Sequence, residues 1–357
     1  MNRLFRHIAA LVLAGIILTG CAYDDSVREL REHNPYSESL AIAFDNGVID
    51  KPIITKAGAL LSDHMNTMGV WGWQTTNLGD VERLFLNQNI TYNAPEAKWT
   101  YNPLKYWDLK STYRFSAYAP HSSSDPGVTV TIDSITRAIS IKGVTLKGDN
   151  TITTGVPTPP GNFGAVQDID WMVDRNGQSM PGTARTLVTF NMQHILSKLC
   201  IRICRSNTFP SDTVAPIIVD SLKVGNFISQ GNFTQCMTDD SLKMLAEWTP
   251  IDTLPRYTIN SARGVSVPDS AVYVAESLII PQQTDASQNV HIWYKLGGNG
   301  GAMSRFNYLI KLDDVFDRFI AGRNYLLTII IGPDVITFDS GVCGWDDSYT
   351  HSIVINQ

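Results

Sequence analysis

Polar and apolar residues alternate at a period of two along much of the chain, which indicates β-strands with one packed face. Aromatic residues fill many of the apolar positions, and Pro and Gly punctuate the runs, as is usual for short strands. In the first half the pattern predicts strands at residues 39–44, 69–73, 84–92, 98–107, 113–120, 128–132 and 138–141. In the second half it predicts strands at residues 186–190, 200–203, 217–219, 222–224, 271–274, 277–282, 290–294, 306–312 and 325–331.

Helical periodicity is weak throughout the sequence. It predicts one turn at residues 193–199 and a short helix at residues 312–319. The Gly-rich run at residues 297–301 predicts a hairpin connection, because it lacks the spacing and the following helix of a nucleotide-binding loop. A stretch rich in Gly, Pro and Thr at residues 147–164 separates two groups of strands. The pattern therefore predicts two β-sandwiches in tandem, with a boundary near residue 180.

The first twenty residues have the features of an export signal. Two arginines precede an apolar run at residues 9–18 that is too short for a permanent membrane helix. The run ends in Leu18-Thr19-Gly20-Cys21, which resembles the lipobox of bacterial lipoproteins. That resemblance implies lipidation of Cys21 and removal of residues 1–20, and several acyl chains on one residue make a firm anchor. The alternative is an ordinary signal peptide with a cysteine nearby.

The segment after the signal is predicted to be a tether. Residues 21–36 are rich in polar and charged side chains. Within them, Asp24-Asp25 resembles the acidic signal that sends some lipoproteins to the cell surface, and a solvated linker is the alternative interpretation. We therefore expect a protein anchored in the cell outer membrane and exposed at the surface.

Length and charge narrow the class of protein further. The chain has 357 residues, which suits two domains of about 100–200 residues each. Its formal net charge is −6, and no cluster of Lys and Arg is longer than a pair, so nucleic acid is excluded as a partner.

Four cysteines follow Cys21. Cys200 and Cys204 would lie on one face of a strand about 13 Å apart, which is too far for a disulfide between them. The sequence leaves open whether these two, Cys236 and Cys343 are free thiols or form other bridges.

The sequence shows no recognisable catalytic motif. The chain contains no GxSxG, HExxH or phosphate-loop motif. His194 lies beside predicted strand residues and is interpreted as a structural histidine. Asp168, Asp170, Asp174 and Asn176 are only faintly similar to a calcium loop, because they lack the strict alternation and the closing glutamate. We therefore predict that the protein is not an enzyme and has no catalytic residues, no metal and no cofactor.

Tryptophans in the first half allow two interpretations. Trp71, Trp73 and Trp99 could form an exposed platform on which sugars stack, which would make the protein a surface-anchored glycan-binding lipoprotein. Tryptophans at strand spacing are also typical of a buried core.

Several stretches in the same order carry a resemblance to a known family. They lie at residues 98–101, 105–107, 113–120, 190–199, 278–282 and 322–327, with a late tryptophan at Trp345. Together with the lipobox, this ordered set resembles the fimbrillin-like lipoproteins of Bacteroidota, and it spans nearly the whole chain after the signal. The resemblance implies an all-β fold of two tandem transthyretin-like Greek-key β-sandwich domains, at residues 37–180 and 181–357.

The resemblance also implies a role as a structural or adhesive subunit of a surface pilus, or fimbrium. In the family, a protease cuts behind the first strand, and a strand from a neighbouring subunit fills the groove that is left. In this chain the removable strand would lie at residues 39–44 and the cut at Lys51 or Lys56. The donor strand would be Ser352, Ile353, Val354 and Ile355, at the end of a short tail that favours a tip or accessory subunit.

The partners that the resemblance implies are of three kinds. They are other pilin subunits, the outer membrane through the lipid anchor, and host or bacterial surface glycans or proteins.

Overall fold

The computed structural model describes residues 40–45, 66–148, 168–174, 177, 179–209, 216–237, 244–261, 264–297, 302–345 and 353–355. Within these ranges nearly all regular structure is β-strand. Short 3-10 helices lie at Ala94–Glu96, Ser122–Ser124, Gly182–Ala184 and Leu312–Asp314. In the described part of the chain, no helix combines the length and apolar character needed to cross a membrane. The prediction of an all-β fold is confirmed.

The first sheet is built mainly from the first half of the chain, with β11 added from beyond residue 180. Its strands are β2 (Thr67–Thr75), β3 (Val81–Asn93), β4 (Lys98–Thr100), β5 (Thr112–Ala119), β8 (Met172–Asp174), β9 (Ser179–Pro181) and β11 (Met192–His194). Their order is β11-β8-β5-β2-β3-β4, and β9 also pairs with β5. A separate parallel pair joins β1 (Phe44–Asp45) to β10 (Val188–Thr189).

A second sheet contains strands from both halves of the chain. Its strands are β6 (Thr129–Ile132), β7 (Ile139–Thr145), β14 (Gln230–Met237) and β15 (Met244–Ile251), in the order β15-β14-β7-β6. The pairing of β7 with β14 is antiparallel and runs from Thr145 opposite Gln230 to Ser140 opposite Thr234.

The remaining strands form two sheets from the second half of the chain. One has the order β18-β12-β21-β22-β23, with strands β12 (Ser197–Arg205), β18 (Val272–Ile279), β21 (Arg323–Ile331), β22 (Ile336–Gly344) and β23 (Ile353–Ile355). The other has the order β16-β13-β19-β20, with strands β13 (Ile217–Phe227), β16 (Tyr257–Ser261), β17 (Val265–Ser266), β19 (Asn289–Gly297) and β20 (Met303–Lys311), and β17 also pairs with β13.

Two hydrophobic cores result from this arrangement. The smaller core lies in the first half and includes Phe44, Phe85 and Phe115. The larger core holds the inward-facing residues of the second-half sheets, and Trp71 and Trp73 of β2 also belong to it.

The boundary near residue 180 and the two ranges 37–180 and 181–357 stay a prediction. Val188, Phe190 and Met192 pack into the smaller core beside residues of the first half. Residues up to β11 therefore share the packing of the first half, although they follow the predicted boundary.

Two local predictions are wrong, and one is confirmed. Residues 193–199 form no helical turn: they comprise the end of β11, two connecting residues and the start of β12, and almost every side chain there is buried, so no face is left to solvent. The helix predicted at residues 312–319 is limited to Leu312–Asp314; Phe319 instead exchanges two backbone hydrogen bonds with Gln282. The hairpin around residues 297–301 is confirmed, since β19 and β20 pair antiparallel up to Gly297 opposite Met303.

Candidate functional site

The most unusual element of the first half is a short segment, residues 40–45, that is hydrogen-bonded along both edges. On one edge, the Ile42 N–H donates to the Lys105 carbonyl at 2.8 Å, and the Trp107 N–H donates to the Leu40 carbonyl at 2.9 Å. On the other edge, the N–H groups of Val188 and Phe190 donate to carbonyls of the segment at 2.9 and 3.1 Å. The segment is therefore an inserted strand that satisfies backbone groups of two other parts of the chain.

Alternate side chains of this inserted strand enter the smaller core. Ile42 and Phe44 are 1% and 4% exposed, whereas Ala43 between them is exposed. The Phe44 ring lies at the centre of an aromatic cluster, with ring centroids 5.4 to 5.9 Å from those of Phe85, Tyr101, Phe115 and Phe190.

Tyr101 fixes the inserted strand further. Its hydroxyl donates a hydrogen bond of 2.7 Å to the Ile42 carbonyl. Burial raises the pKa of the Tyr101 phenol to about 12, so the hydroxyl remains a donor at any physiological pH. The sequence pattern marked the strand but not this tyrosine, which lies in a predicted strand and resembles any other core aromatic.

The predicted tryptophan platform is wrong. Trp71, Trp73 and Trp99 are 3%, 4% and 9% exposed. The Trp71 ring packs on Tyr118 with centroids 5.3 Å apart, and the Arg137 guanidinium covers Trp73 at 4.0 Å. These indoles are core residues, the second of the two interpretations, because each faces a packed layer.

The other predicted site residues divide between the described and undescribed parts of the chain. Cys21, Lys51, Lys56 and Ser352 lie outside the described residues. Ile353, Val354 and Ile355 form β23, which pairs antiparallel with Ser340, Asp339 and Phe338 of β22 at the end of its sheet. The segment predicted to be a donor is therefore a strand, and in the isolated chain it pairs with its own molecule.

Two aspartates of the stretch that is faintly similar to a calcium loop accept hydrogen bonds from different backbone groups. Asp168 accepts backbone N–H groups of Lys147 and Gly148 at 2.7 and 2.9 Å. Asp174 accepts those of Gly177 and Asn191, both at 2.9 Å. Among the described residues, no three His, Cys, Asp or Glu side chains are grouped so that they could hold a metal ion.

His194 is the centre of a buried polar cluster that also contains Asp170, Lys198, Glu276 and Trp345. The His194 Nδ1 lies 2.8 Å from Asp170 Oδ2, and its ring stacks on Trp345 with centroids 4.1 Å apart. The prediction of a satisfied structural histidine is confirmed. The Lys198 ammonium lies 4.7 Å above the same indole.

Glu276 is the second buried carboxyl group of this cluster, beside Asp170. It is 2% exposed, and its Oε1 has no hydrogen-bond partner in the described structure. Burial raises the pKa of Glu276 to about 7, against the opposing effect of the Lys198 charge.

Burial also raises the pKa of three cysteine thiols. These are Cys200, Cys204 and Cys236, and all three are free. The Cys200 thiol donates to Asn324 Oδ1 at 3.4 Å. The sequence had left the disulfide state of these three residues open.

The geometry defines a class: an all-β protein of several sheets, in which residues 40–45 form a short strand that is hydrogen-bonded along both edges. A sequence profile of the fimbrillin-like family matches residues 61–345, and the chain belongs to this family. No curated protein sequence matches the chain.

One solved structure supports the fold, and a second is reported for comparison. The chain is similar to a fimbrial protein from Bacteroides vulgatus, with a TM-score of 0.57 and 15% identity over 86% of this chain and 99% of that one. The tip fimbrial protein Mfa3 from Porphyromonas gingivalis, truncated at its C-terminus, aligns with a TM-score of 0.35 and 9% identity over 86% of this chain and 99% of that one.

Proposed function

We propose that this protein is a structural subunit of a bacterial surface fimbrium, of tip or accessory type, exported as a lipoprotein through Cys21. Its subunits associate when a strand from a neighbour replaces the inserted strand at residues 40–45. Family membership supports the fimbrial role, and a relative of the same fold is a fimbrial protein.

The inserted strand is the observation that carries this proposal. It has the two properties that strand exchange requires: backbone hydrogen bonds along both edges and alternate apolar side chains in pockets. An incoming strand with the same alternation would recover both sets of contacts. Without an occupant, the groove would expose backbone groups and the aromatic cluster around Phe44 to water.

Processing is tested by intact mass and N-terminal sequencing of the protein from cell-surface fractions. We expect a chain that begins just after Lys51 or Lys56, and a double Lys51→Gln/Lys56→Gln variant that keeps its N-terminus. Lys142→Gln, an exposed lysine of β7, is the matched control and should be processed normally. A wild-type chain that still begins at acylated Cys21 in assembled fimbriae would refute processing.

Strand exchange is tested with the processed protein and a synthetic peptide of residues 39–46. We expect the peptide to bind and to raise the melting temperature, since a ligand that binds only the folded state stabilises it. The same peptide with Phe44→Asp should not bind, because a carboxylate would enter the aromatic cluster. Equal binding of both peptides would contradict insertion into the groove.

The donor role of the tail is tested by deletion of residues 347–357 from the full-length protein. We expect loss of incorporation into fimbriae while the melting temperature changes little, since β23 contributes only three residues at a sheet edge. Normal incorporation of the shortened chain would exclude this tail as the donor.

A further inference from the structure

A cleft lies on the outer face of the sheet β16-β13-β19-β20, away from the inserted strand. Its volume is about 360 Å³, and its lining residues are Lys223, Gly225, Asn226, Thr258, Asn289, His291 and Trp293. The side chains between them along the strands, such as Val224 and Ile292, point into the larger core. The cleft is thus formed by the polar face of a sheet whose other face is fully packed.

Strand register brings the lining residues together. Lys223 lies directly opposite His291, and Gly225 lies opposite both Asn289 and Thr258. A Cβ atom at Gly225 would lie 2.4 Å from Thr258 Oγ1, so only glycine lets β16 approach this closely. Asn226 forms a bulge with φ of 67°, which turns its backbone toward the rim of the cleft.

Arg256 stiffens this rim. Its guanidinium donates to the Asn226 carbonyl at 3.3 Å and to carboxylate oxygens of Asp252 and Asp285 at 2.8 to 3.0 Å. Arg256 therefore pairs with both carboxylates and offsets one of their two negative charges. A site held in this way is largely formed before a ligand arrives.

Trp293 gives the cleft an apolar wall. It is only half-buried, and its ring lies 3.6 Å from the His291 ring, centroid to centroid. The Lys223 ammonium lies 5.5 Å from the same indole. The indole is therefore held between the His291 ring and the Lys223 ammonium.

The charge of the cleft is opposite to that of the molecule. Its lining contains Lys223 and His291 and no carboxylate, whereas the whole chain has a net charge of −6. Amide and hydroxyl groups of Asn226, Asn289 and Thr258 complete it. This set combines one cation for a carboxylate, an aromatic surface for C–H groups, and amide and hydroxyl groups for hydroxyls.

We propose that this cleft binds a carboxylated sugar residue at the surface of a glycan. A simple anion would make no use of the indole, and a neutral sugar would make no use of Lys223. The site is distinct from the buried tryptophans of the first half and shares no residue with the groove of the inserted strand. Its failure would therefore leave the proposed fimbrial function untouched.

The test is calorimetric titration of the full mature protein with trigalacturonate and sialyllactose, against cellotriose and lactose as neutral probes. We expect binding of at least one acidic probe that is at least tenfold tighter than that of its neutral counterpart. Raised salt should weaken the acidic binding, as expected of a charge pair at a surface. Failure of both acidic probes to bind at millimolar concentration, or equal binding of neutral probes, would overturn the proposal.

Variants locate the binding. Trp293→Ala should weaken the acidic probe at least tenfold, and Lys223→Gln should remove the preference for acid over neutral sugar. If Trp293→Ala does not fold, the same titration is made with Trp293→Phe, which keeps an aromatic ring. Tyr92→Ala and Lys142→Gln, an exposed aromatic and an exposed lysine of other sheets, are the controls and should bind within twofold of wild type. Wild-type affinity in both cleft variants, or an equal loss in the controls, would refute the site.

Discussion

The buried carboxyl of Glu276 makes a stability prediction with a definite sign. Glu276 lies on β18, opposite Cys200 of β12, and is 2% exposed. The opposite charge that acts on this carboxyl is that of Lys198, which is itself 3% exposed and lies over the indole of Trp345. Burial disfavours the carboxylate, which raises the pKa from the ordinary 4.5 to about 7 in the folded state.

The pH window follows from these two values. Below pH 4.5 the carboxyl is protonated in both the folded and unfolded states, so its ionisation does not lower the free energy of unfolding. Between pH 4.5 and 7 the unfolded chain releases the proton while the folded protein keeps it, so the free energy of unfolding falls as the pH rises. Above pH 7 the buried carboxylate lowers the free energy of unfolding by its full amount. That amount is on the order of 3 kcal/mol, since each unit of difference between the folded and unfolded pKa contributes about 1.36 kcal/mol.

Glu276→Gln keeps the shape of the side chain and removes its ionisation. We expect the variant to match wild type near pH 4 and to exceed its stability near pH 8 by about 3 kcal/mol. The measurement is urea unfolding of both proteins at several values between pH 4 and pH 8, monitored by tryptophan fluorescence. Glu82→Gln, an exposed glutamate of β3, is the matched control and should show no such change.

One result would refute this reasoning. If the difference in unfolding free energy between Glu276→Gln and wild type were the same at pH 4 and pH 8, the carboxyl would titrate alike in both states. A variant that lost stability relative to wild type as the pH rose would show that Lys198 stabilises the carboxylate more than burial penalises it.

Three further substitutions test the packing on which the proposals rest, all by urea unfolding at neutral pH. Phe44→Ala should lower the free energy of unfolding by about 3 to 5 kcal/mol, because it leaves a cavity in the aromatic cluster. Leu86→Ala, at a side chain of β3 that is 66% exposed, should leave it almost unchanged. Similar losses for the two variants would mean that Phe44 of the inserted strand is not packed in the core. Gly182→Ala should cost about 1 to 3 kcal/mol, since its Cβ would lie 1.9 Å from the Asp108 carbonyl oxygen, and a neutral result would disprove this close approach. Asp168→Ala should cost about 3 kcal/mol through two unpaired backbone N–H groups, and a loss below 1 kcal/mol would mean that water replaces the carboxylate.

Alternation predicted the strands where one face of a sheet is solvated. In β19, Val290 and Ile292 are buried while His291 and Trp293 are partly exposed, and the strand was predicted at residues 290–294. The same alternation places Trp293 on the polar face, a signal that could have distinguished it from the core tryptophans. Period two fails in the first residues of β12, because Ser197, Lys198 and neighbouring side chains are all buried whichever way they point.

Residues that are close in sequence do not always share a site, and the residues of one site can be far apart in sequence. Asp168, Asp170 and Asp174 are close along the chain, yet each satisfies a different partner. By contrast, the cleft joins residues from three strands separated by more than thirty positions, and only strand register brings them together. No single stretch of sequence carries that information.

The division of the core explains how strand exchange and surface recognition could coexist in one subunit. The inserted strand belongs wholly to the smaller core, through Ile42 and Phe44. The larger core and the pairing of β7 with β14 join the two halves without any residue of that strand. Loss of the inserted strand would therefore open one groove while the remaining contacts hold the sheets in place, since local openings follow cooperative units of packing. The cleft around Trp293 stands on the larger core, so an exchange of strands in the first half would leave its geometry unchanged.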